Sequence, residues 1–217
     1  MDPDSVGRIV STENSPVVVL ANGPFPTHPI PLKILKSANT LICCDGAADK
    51  ALKNGLKPKV VIGDLDSVKS DLSALEVEVV HLKSQDNTDL EKTLQWCVEQ
   101  GIDHVVVIGA TGTRDDHTLI NLMLLRYFNS QLKIRIVTDF GTIYCVDDKK
   151  QFNTLPGQRV SLIPLDKDVR IMTTGMKYQL KNETVKSITQ GISNIAVNNT
   201  ISVTVRNGSV LVFIAHC

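Results

Sequence analysis

The feature of this sequence that most constrains its fold is a change of pattern near residues 156–157. Up to about residue 147, short apolar runs alternate with segments whose apolar residues recur at helical spacing. That alternation is typical of a mostly parallel sheet covered by helices. Beyond it come short β-branched runs separated by turn residues, with no long amphipathic helix between them. The sequence therefore predicts an α/β domain with a Rossmann-like sheet, followed by an antiparallel β domain built as a sandwich or barrel.

We place the α/β domain at residues 16–150 and the β domain at residues 151–217. Residues 1–15 carry acids and lack the apolar core of a signal peptide, so we expect a flexible tail. In the β domain, Asn207-Gly208 suits the two-residue turn of a hairpin.

Two helices of the α/β domain can also be predicted in outline. Four prolines between residues 24 and 31 make that stretch a poor helix until about Leu32. Further along, helical spacing predicts a core face formed by five apolar residues: Leu119, Ile120, Met123, Leu124 and Tyr127.

The composition excludes several classes of partner. Lysine and arginine total 23, as do aspartate and glutamate, so the 217-residue chain carries no net charge. It therefore lacks the basic field of a nucleic-acid-binding protein and a polybasic membrane patch. No apolar run approaches the length of a membrane span. Five cysteines without paired ligand spacing argue against a disulfide framework and a zinc site, so we expect a reducing, cytoplasmic location.

Two closely spaced carboxylates follow a predicted buried strand. The run Val60–Ile62 leads into Gly63-Asp64-Leu65-Asp66-Ser67. In extended backbone, Asp64 and Asp66 would point to the same side, at the strand end where open α/β sheets bind ligands. Two neighbouring carboxylates repel unless a cation joins them, and Mg²⁺ carrying phosphates is a suitable one. The alternative is a solvated turn, since Asp and Ser are ordinary turn residues.

Polar groups follow the other predicted strands of the α/β domain as well. Asp45 ends one strand, and polar segments at residues 83–89 and 109–117 follow two more. Each alone is explicable as a polar loop, but together at one edge of a sheet they form a cleft. Thr88 and Glu91 make a capping box, which makes Asp89 the first residue of a helix. There the helix dipole favours its ionised form, although a first-turn acid also simply stabilises a helix.

The segment from Gly109 to Asn121 combines a glycine turn with a helix start. Such a turn lets backbone N–H groups approach an anion, and Arg114 adds a forked donor suited to phosphate. We expect Arg114, His117 and Asn121 to share the polar face of this helix; a capped helix with a solvated side explains the pattern equally. The spacing matches neither a Walker loop nor a dinucleotide fingerprint. With excess carboxylate and no obvious Ser or Cys nucleophile, the site fits Mg²⁺-dependent transfer of a phosphoryl-type group.

Taken in order, these motifs resemble the thiamine pyrophosphokinase family. The resemblance spans roughly residues 16 to 215, and six segments carry it: Asp45-Gly46-Ala47-Ala48-Asp49, Gly63-Asp64-Leu65-Asp66-Ser67, Gln85 to Lys92, Gly109 to His117, Thr174 to Leu180 and Gly191-Ile192-Ser193-Asn194. It implies transfer of pyrophosphate from ATP to the hydroxyl of thiamine, giving thiamine diphosphate and AMP. It also implies Mg²⁺, an α/β nucleotide domain, a β-sandwich dimerisation domain, and a homodimer whose active site is shared between subunits.

The resemblance also assigns residues to roles. Asp64, Asp66 and Asp89 match the acids that hold metal and phosphates and so carry catalysis. The ATP region is matched by Asp45, Gly46, Gly112, Arg114, Asp116 and His117. The thiamine site is matched by Gln85 and Asp89 and, on the β domain, by Tyr178, Ser193 and Asn194.

Some positions depart from the family pattern. Thr113 stands where a second glycine is usual, and Tyr178 stands where some members have Trp, although either ring can stack on a cation. The metal acids are all retained, which favours an enzyme over the alternative, a non-catalytic thiamine- or nucleotide-binding sensor on the same fold. An NAD-linked oxidoreductase would need the dinucleotide fingerprint that is missing.

Overall fold

The computed structural model describes residues 9–73 and 75–217. The chain divides into two compact units, with the boundary between Thr138 and Asp139. The sequence predicts this boundary later in the chain, at residue 150. The reason is that the apolar strand at Gly141–Val146 continues the series of apolar runs in the first domain. In the structure that strand pairs with a strand of the second unit.

In its described residues, the first unit is an α/β domain whose six strands run parallel. Its elements are β1 (Val17–Leu20), α1 (Pro29–Lys36), β2 (Leu41–Cys44), α2 (Ala47–Lys53), β3 (Val60–Gly63), β4 (Glu78–His81), α3 (Asp89–Glu99), β5 (His104–Ile108), α4 (Asp115–Phe128) and β6 (Lys133–Val137). The strand order is β6-β5-β1-β2-β3-β4, and every pair is parallel. The predicted α/β fold of this part of the chain is confirmed.

The order of the strands creates a crevice at one edge of this sheet. The chain runs outward from β1 through β2 and β3 to β4, and then returns to the other side of β1 for β5 and β6. The direction therefore reverses between β1 and β5, which is where open parallel sheets bind ligands. The register pairs Leu20 with both Cys43 and Ile108, so the connections after these strands leave the sheet side by side.

Helix α1 begins earlier than the sequence predicts. Its first residue is Pro29, and the side chain of His28 accepts a hydrogen bond from the N–H of Ile30. Prolines fit here because the N–H groups of the first helical turn have no acceptor within the helix, so the N–H that proline lacks is not needed.

The buried face of α4 differs from the predicted one. Leu124 is buried as predicted, together with Asn121, Leu125 and Phe128, whereas four residues predicted to be core are exposed: Leu119, Ile120, Met123 and Tyr127. The helix is apolar on most sides, so periodicity alone does not select the buried stripe. Asn121 turns inward, away from the polar face predicted for it, because its amide donates a hydrogen bond to the carbonyl of Ala110.

The second unit consists entirely of antiparallel strands. They are β7 (Gly141–Val146), β8 (Lys149–Asn153), β9 (Arg159–Pro164), β10 (Arg170–Thr174), β11 (Lys181–Thr184), β12 (Asn194–Ile195), β13 (Thr200–Arg206) and β14 (Val210–Ala215). One sheet has the order β12-β9-β14-β7 and the other β11-β10-β13-β8. Side chains of both sheets form one core, which confirms the predicted sandwich.

The predicted hairpin at Asn207-Gly208 is wrong. Both residues have positive φ, as a tight turn requires, but the strands they join lie in different sheets. Strand β13 pairs with β8 and β10, whereas β14 pairs with β7 and β9. The turn carries the chain from one layer of the sandwich to the other.

The described part of the predicted tail lies against the first unit. Ile9 is buried, and the hydroxyl of Ser11 donates to the carboxylate of Asp103 at 2.9 Å while accepting from the N–H of His104. These contacts differ from the flexible tail predicted for residues 1–15, of which residues 1–8 lie outside the described residues. Among the helices of the described ranges, none has the length and apolar character needed to cross a membrane.

Candidate active site

An open cleft of about 600 Å³ lies at the strand-end edge of the first unit, where the crevice between β1 and β5 opens. Loops after four strands and the start of two helices line it. The lining includes Asn22 and Gly23 after β1, Cys44 at the end of β2, Asp64 after β3, the segment from Gln85 to Asp89, and the segment around Gly109 to His117. The structure thus brings together polar segments that are far apart in the sequence.

Three carboxylates converge beside this edge. Asp45, Asp64 and Asp66 each offer one oxygen, and these oxygens lie within 4.8 Å of one another. Gly63 makes the approach possible, because a Cβ at that position would lie 2.8 Å from the Cβ of Asp45. Asp45 itself has a positive φ of 43°, a conformation that Asp and Asn adopt more readily than most residues.

One oxygen of this group is suited to a cation. Asp45 is 2% exposed, and its Oδ1 atom is buried with no hydrogen-bond partner within the described chain. An unpartnered buried carboxylate oxygen is costly, and two further acids beside it increase the repulsion. A hard divalent cation with oxygen ligands would satisfy all three, so the residues present fit Mg²⁺.

The metal acids predicted from the resemblance were Asp64, Asp66 and Asp89; the structure groups Asp45, not Asp89, with the first two. Asp64 is held by hydrogen bonds from the Gln85 side chain, at 2.8 Å, and from the N–H of Asp66, at 3.4 Å. Those bonds, with the charge of Lys92, lower the pKa of Asp64. Gln85 therefore lies against an acid of the cluster.

Asp89 lies apart from the group and beside a buried lysine. The predicted cap is confirmed: the Thr88 hydroxyl accepts from the N–H of Glu91, and Asp89 is the first residue of α3. Burial raises the pKa of Asp89, and the bond from Lys92 Nζ, at 3.3 Å, offsets only part of that effect. This direction is opposite to the one expected from the helix dipole alone.

Lys92 is a cleft residue that the sequence reasoning did not single out. Only 8% of its side chain is exposed, yet it lines the cleft and bonds to Asp89. Its spacing of three residues from Asp89 was the available signal, because residues three apart share a helix face. A buried cation here places a positive charge beside the acids.

The glycine turn after β5 adjoins the cleft as predicted. Gly109 and Gly112 have positive φ, and Gly23 approaches so closely that a Cβ there would lie 2.1 Å from the carbonyl oxygen of Gly109. Gly46, the N-cap of α2, is close to Asn22 in the same way, since a Cβ there would lie 2.9 Å from the Nδ2 atom of Asn22. Backbone therefore reaches the cleft without intervening side chains.

Arg114 and Asp116 neutralise one another at the start of α4. The guanidinium donates two hydrogen bonds to the Asp116 carboxylate, and the N–H of His117 donates a third. The bond from Arg114 is the largest cause that lowers the pKa of Asp116, to about 2. Both side chains are exposed, so an incoming anion can exchange with Asp116 as the partner of the arginine.

The remaining three predicted residues belong to the second unit. Tyr178 is 63% exposed. Asn194 is buried, and its amide accepts from the N–H of Tyr178 at 3.1 Å and donates to the carbonyl of Tyr178 at 2.6 Å. Ser193 has a positive φ of 58°, and its N–H donates to the hydroxyl of Ser161. The exposed Tyr178 ring therefore extends from a backbone that Asn194 holds through two hydrogen bonds.

Comparison with known proteins gives matches over both units. The family model for the thiamin pyrophosphokinase catalytic domain matches residues 32–138, and the model for the thiamin pyrophosphokinase vitamin B1 binding domain matches residues 143–210. The crystal structure of thiamine pyrophosphokinase from Bacillus subtilis is similar, with a TM-score of 0.81, 25% identity, and coverage of 93% of this chain and 99% of that one. Thiamin pyrophosphokinase from Candida albicans, at 15% identity and a TM-score of 0.80, shares the fold over 93% of this chain and 90% of that one.

Curated relatives are similar over part of their length. Thiamin pyrophosphokinase 1 of Caenorhabditis elegans is 30% identical over 156 residues, which are 65% of this chain and 64% of that protein. Thiamine pyrophosphokinase of Bacillus subtilis is 32% identical over 143 residues, 60% of this chain and 65% of that protein. The matched stretches therefore span just under two thirds of these two relatives.

Proposed function

The chain belongs to the thiamin pyrophosphokinase family, and from that premise we propose that it is an active enzyme that transfers pyrophosphate from ATP to the hydroxyl of thiamine. The hydroxyl oxygen of thiamine attacks the β-phosphorus of ATP. The bond from that phosphorus to the oxygen bridging the α- and β-phosphates breaks. The products are thiamine diphosphate, AMP and one proton.

The observation that carries the proposal is the unpartnered buried oxygen of Asp45 inside a group of three carboxylates at the cleft edge. We assign Mg²⁺ to Asp45, Asp64 and Asp66, where it would offset the charge of the ATP phosphates. A non-catalytic thiamine sensor has no need of this arrangement. An electrostatically prepared site is the main requirement of phosphoryl-type transfer.

Asp89 receives a separate role in this proposal. The resemblance assigns it to both metal and thiamine, but its carboxylate lies outside the three-acid group. At the first turn of α3 it is available to accept a hydrogen bond from the attacking hydroxyl and to take up the released proton. Gln85, bound to Asp64, is the neutral donor and acceptor that faces thiamine on this side.

For ATP we propose the glycine turn and the start of α4. The N–H groups around Gly112, and the backbone at Gly46 and Asp45, approach the nucleotide, while His117 contributes a ring at the cleft wall. Arg114 then leaves Asp116 in part to bind a phosphate, and Asp116 keeps the guanidinium oriented before ATP arrives.

For thiamine, we propose that Tyr178 stacks on the cationic ring from a second chain of a homodimer. Asn194 supports that ring through its two bonds to the Tyr178 backbone, and Ser193 lies at the same edge. The buried thiols of Cys43, Cys44 and Cys97 suit the reducing cytoplasm, which we propose as the compartment. We propose no nucleic-acid or membrane partner, in keeping with the zero net charge.

Product analysis tests the reaction. The purified chain is incubated with ATP, Mg²⁺ and thiamine, and the products are separated by chromatography and identified by ³¹P NMR. We expect thiamine diphosphate and AMP in equal amounts, and no AMP when thiamine is omitted. ADP with thiamine monophosphate would show an ordinary kinase instead. Thiamine binding without turnover under Mg²⁺, Mn²⁺ or Co²⁺ would show a sensor.

A further inference from the structure

The carboxylate of Asp49 holds the end of the segment that carries Asp64 and Asp66. Asp49 lies in the first turn of α2, and its two oxygens accept hydrogen bonds from the N–H groups of Lys69 and Ser70, each at 2.9 Å. Asp49 is not among the residues that line the cleft. Its carboxylate is thus engaged with backbone rather than directed at a ligand.

The segment between Gly63 and Ser70 has little regular structure of its own. It lies outside the strands, and Leu65 adopts a positive φ of 66°, which is unfavourable for a branched apolar residue. Its internal polar contacts are local: the N–H of Asp66 to Asp64, and the hydroxyl of Ser67 to Asp66. A strained conformation of this kind persists only when the surroundings hold it.

Two anchors bracket the two acids. Strand β3 holds the first end through its pairing at Gly63, and Asp49 holds the second end at residues 69–70. Gly46, the N-cap of α2, also lies close to the middle of the segment, since a Cβ added there would lie 3.2 Å from the Cβ of Ser67. Gly46 directly follows Asp45, so the start of α2 connects the third acid of the group to the segment that carries the other two.

We propose that Asp49 is a positioning residue, which keeps Asp64 and Asp66 at metal-binding distance from Asp45 by fixing the backbone at residues 69–70. The inference rests on the metal site of the proposed function. Burial opposes ionisation of Asp49, but the bonds from Ser70 and Lys69 outweigh it and lower its pKa, so the acceptor is charged at neutral pH. Charge-assisted bonds of this kind are stronger than neutral ones.

The test compares Asp49→Asn with Asp71→Asn as the matched control. Asn at position 49 keeps the size of the side chain but turns an N–H donor toward one of the two backbone donors. Asp71 follows in the same connection, and its Oδ1 accepts from the N–H and the hydroxyl of Ser73, its hydrogen-bond partner among the residues that the structure describes. The control therefore removes one negative charge from the same connection without removing the hydrogen bonds that hold residues 69–70.

The readouts are Mn²⁺ binding without nucleotide, from the EPR signal of free Mn²⁺, and amide hydrogen exchange over residues 64–70. We expect Asp49→Asn to weaken Mn²⁺ binding on the order of tenfold or more, as loss of a group that orients metal ligands does, and to speed exchange of that segment. Asp71→Asn should change Mn²⁺ affinity by less than about twofold, since its charge is solvent-screened. In turnover assays, Asp49→Asn should raise the Mg²⁺ concentration for half-maximal rate while kcat at saturating Mg²⁺ changes little.

Equal weakening in both variants would show an effect of charge and overturn the proposal, as would unchanged Mn²⁺ affinity in Asp49→Asn. Circular dichroism checks the folding of each variant. If Asp49→Asn does not fold, Asp49→Ser, whose hydroxyl keeps one hydrogen-bond acceptor, is measured in its place. Wild-type protein that binds Mn²⁺ but yields no thiamine diphosphate would contradict the proposed function and leave this inference standing. Wild-type protein with normal turnover, together with an Asp49→Asn variant that matches the wild type in every readout, would overturn this inference and leave the proposed function standing.

Discussion

The Asp45 side chain combines an unfavourable effect on stability with its proposed role in metal binding. Its buried, unpartnered oxygen lies beside two other carboxylates, an arrangement that is unfavourable until a cation arrives. Groups arranged for function at the expense of stability are expected in binding sites. The same oxygen should therefore affect stability in opposite directions with and without metal.

Asp45→Asn should stabilise the metal-free protein and abolish its stabilisation by metal. Asn tolerates the positive φ at this position and removes one charge from the group, so we expect the free energy of unfolding without metal to rise by about 1–2 kcal/mol. Thermal unfolding with EDTA and with Mg²⁺ measures both effects. Asp168→Asn, an exposed acid in the second unit, is the control. A lower unfolding temperature for Asp45→Asn in EDTA would contradict the argument.

Asp64→Asn and Asp66→Asn should each reduce turnover, on the order of 100-fold, by removing preorganised charge from the site. Both residues lie in a loop and not in the core, so the fold should be kept. The assay is the rate at low Mg²⁺ and at saturating Mg²⁺, together with circular dichroism of each variant. Near-normal rates at low Mg²⁺ would show that neither acid holds the metal.

For single residues, the sequence shows which residues are neighbours along the chain but not which carboxylate oxygen atoms lie close together in space. Asp64 and Asp66 stand out because they directly follow an apolar run. Asp45 joins them only because Gly63 permits the ends of β2 and β3 to approach, which is a property of strand pairing. Lys92 was missed because its burial depends on how α3 lies on the sheet.

Among the elements, the loop after β1 depends on contact with the glycine turn after β5. The N–H of Gly23 donates to the carbonyl of Gly109, and Lys50 from α2 donates to the carbonyls of Asn22 and Gly23. The loop is thereby held from two sides at the mouth of the crevice. Its position defines one wall of the cleft.

Gly23→Ala should loosen that wall. The added methyl group would lie 2.1 Å from the Gly109 carbonyl oxygen, so the two loops must separate. We expect the free energy of unfolding to fall by about 1–3 kcal/mol and the Kd for ATP, measured by calorimetry, to rise. Gly23 does not have a positive φ, so its substitution adds the clash without that strain, whereas Gly101→Ala, at a positive φ with open space around it, shows strain without a clash. An unchanged ATP affinity in Gly23→Ala would show that this wall does not contact the nucleotide.

Elements with a strong pattern could be predicted, and those without one could not. The Val-rich strands of the first unit were clear because both faces of the sheet are buried. Strands β8 and β11 were missed because their sequences, KKQFN and KNET, are almost entirely polar. The hairpin at Asn207-Gly208 failed for another reason: a turn motif specifies local backbone and not the sheet to which the next strand belongs.

For the whole molecule, the change of pattern near residues 156–157 predicted two folds in one chain, and both are confirmed. The predicted boundary lies later than Thr138 because β7 has the apolar character of a central α/β strand. Our proposal that two chains share the active site is tested with a pair of variants, one in each unit.

Subunit complementation tests that proposal. Asp89→Asn alters the first unit and Tyr178→Ala the second, and each should be nearly inactive alone. After mixing under conditions that exchange subunits, half of the dimers are mixed, and one of their two sites carries neither substitution. Activity should recover to about a quarter of normal by symmetry. Demonstrated exchange without recovery would show that the site is not shared.

The support beneath Tyr178 has a consequence for how this protein can change over generations. The two hydrogen bonds of the Asn194 side chain go to the main chain of Tyr178, and neither involves an atom of the ring. Any amino acid except proline presents the same two main-chain groups. The aromatic residue can therefore be exchanged for a larger or smaller ring while both hydrogen bonds are kept, so, under the proposed role of this ring, single substitutions can alter substrate preference without a compensating change elsewhere.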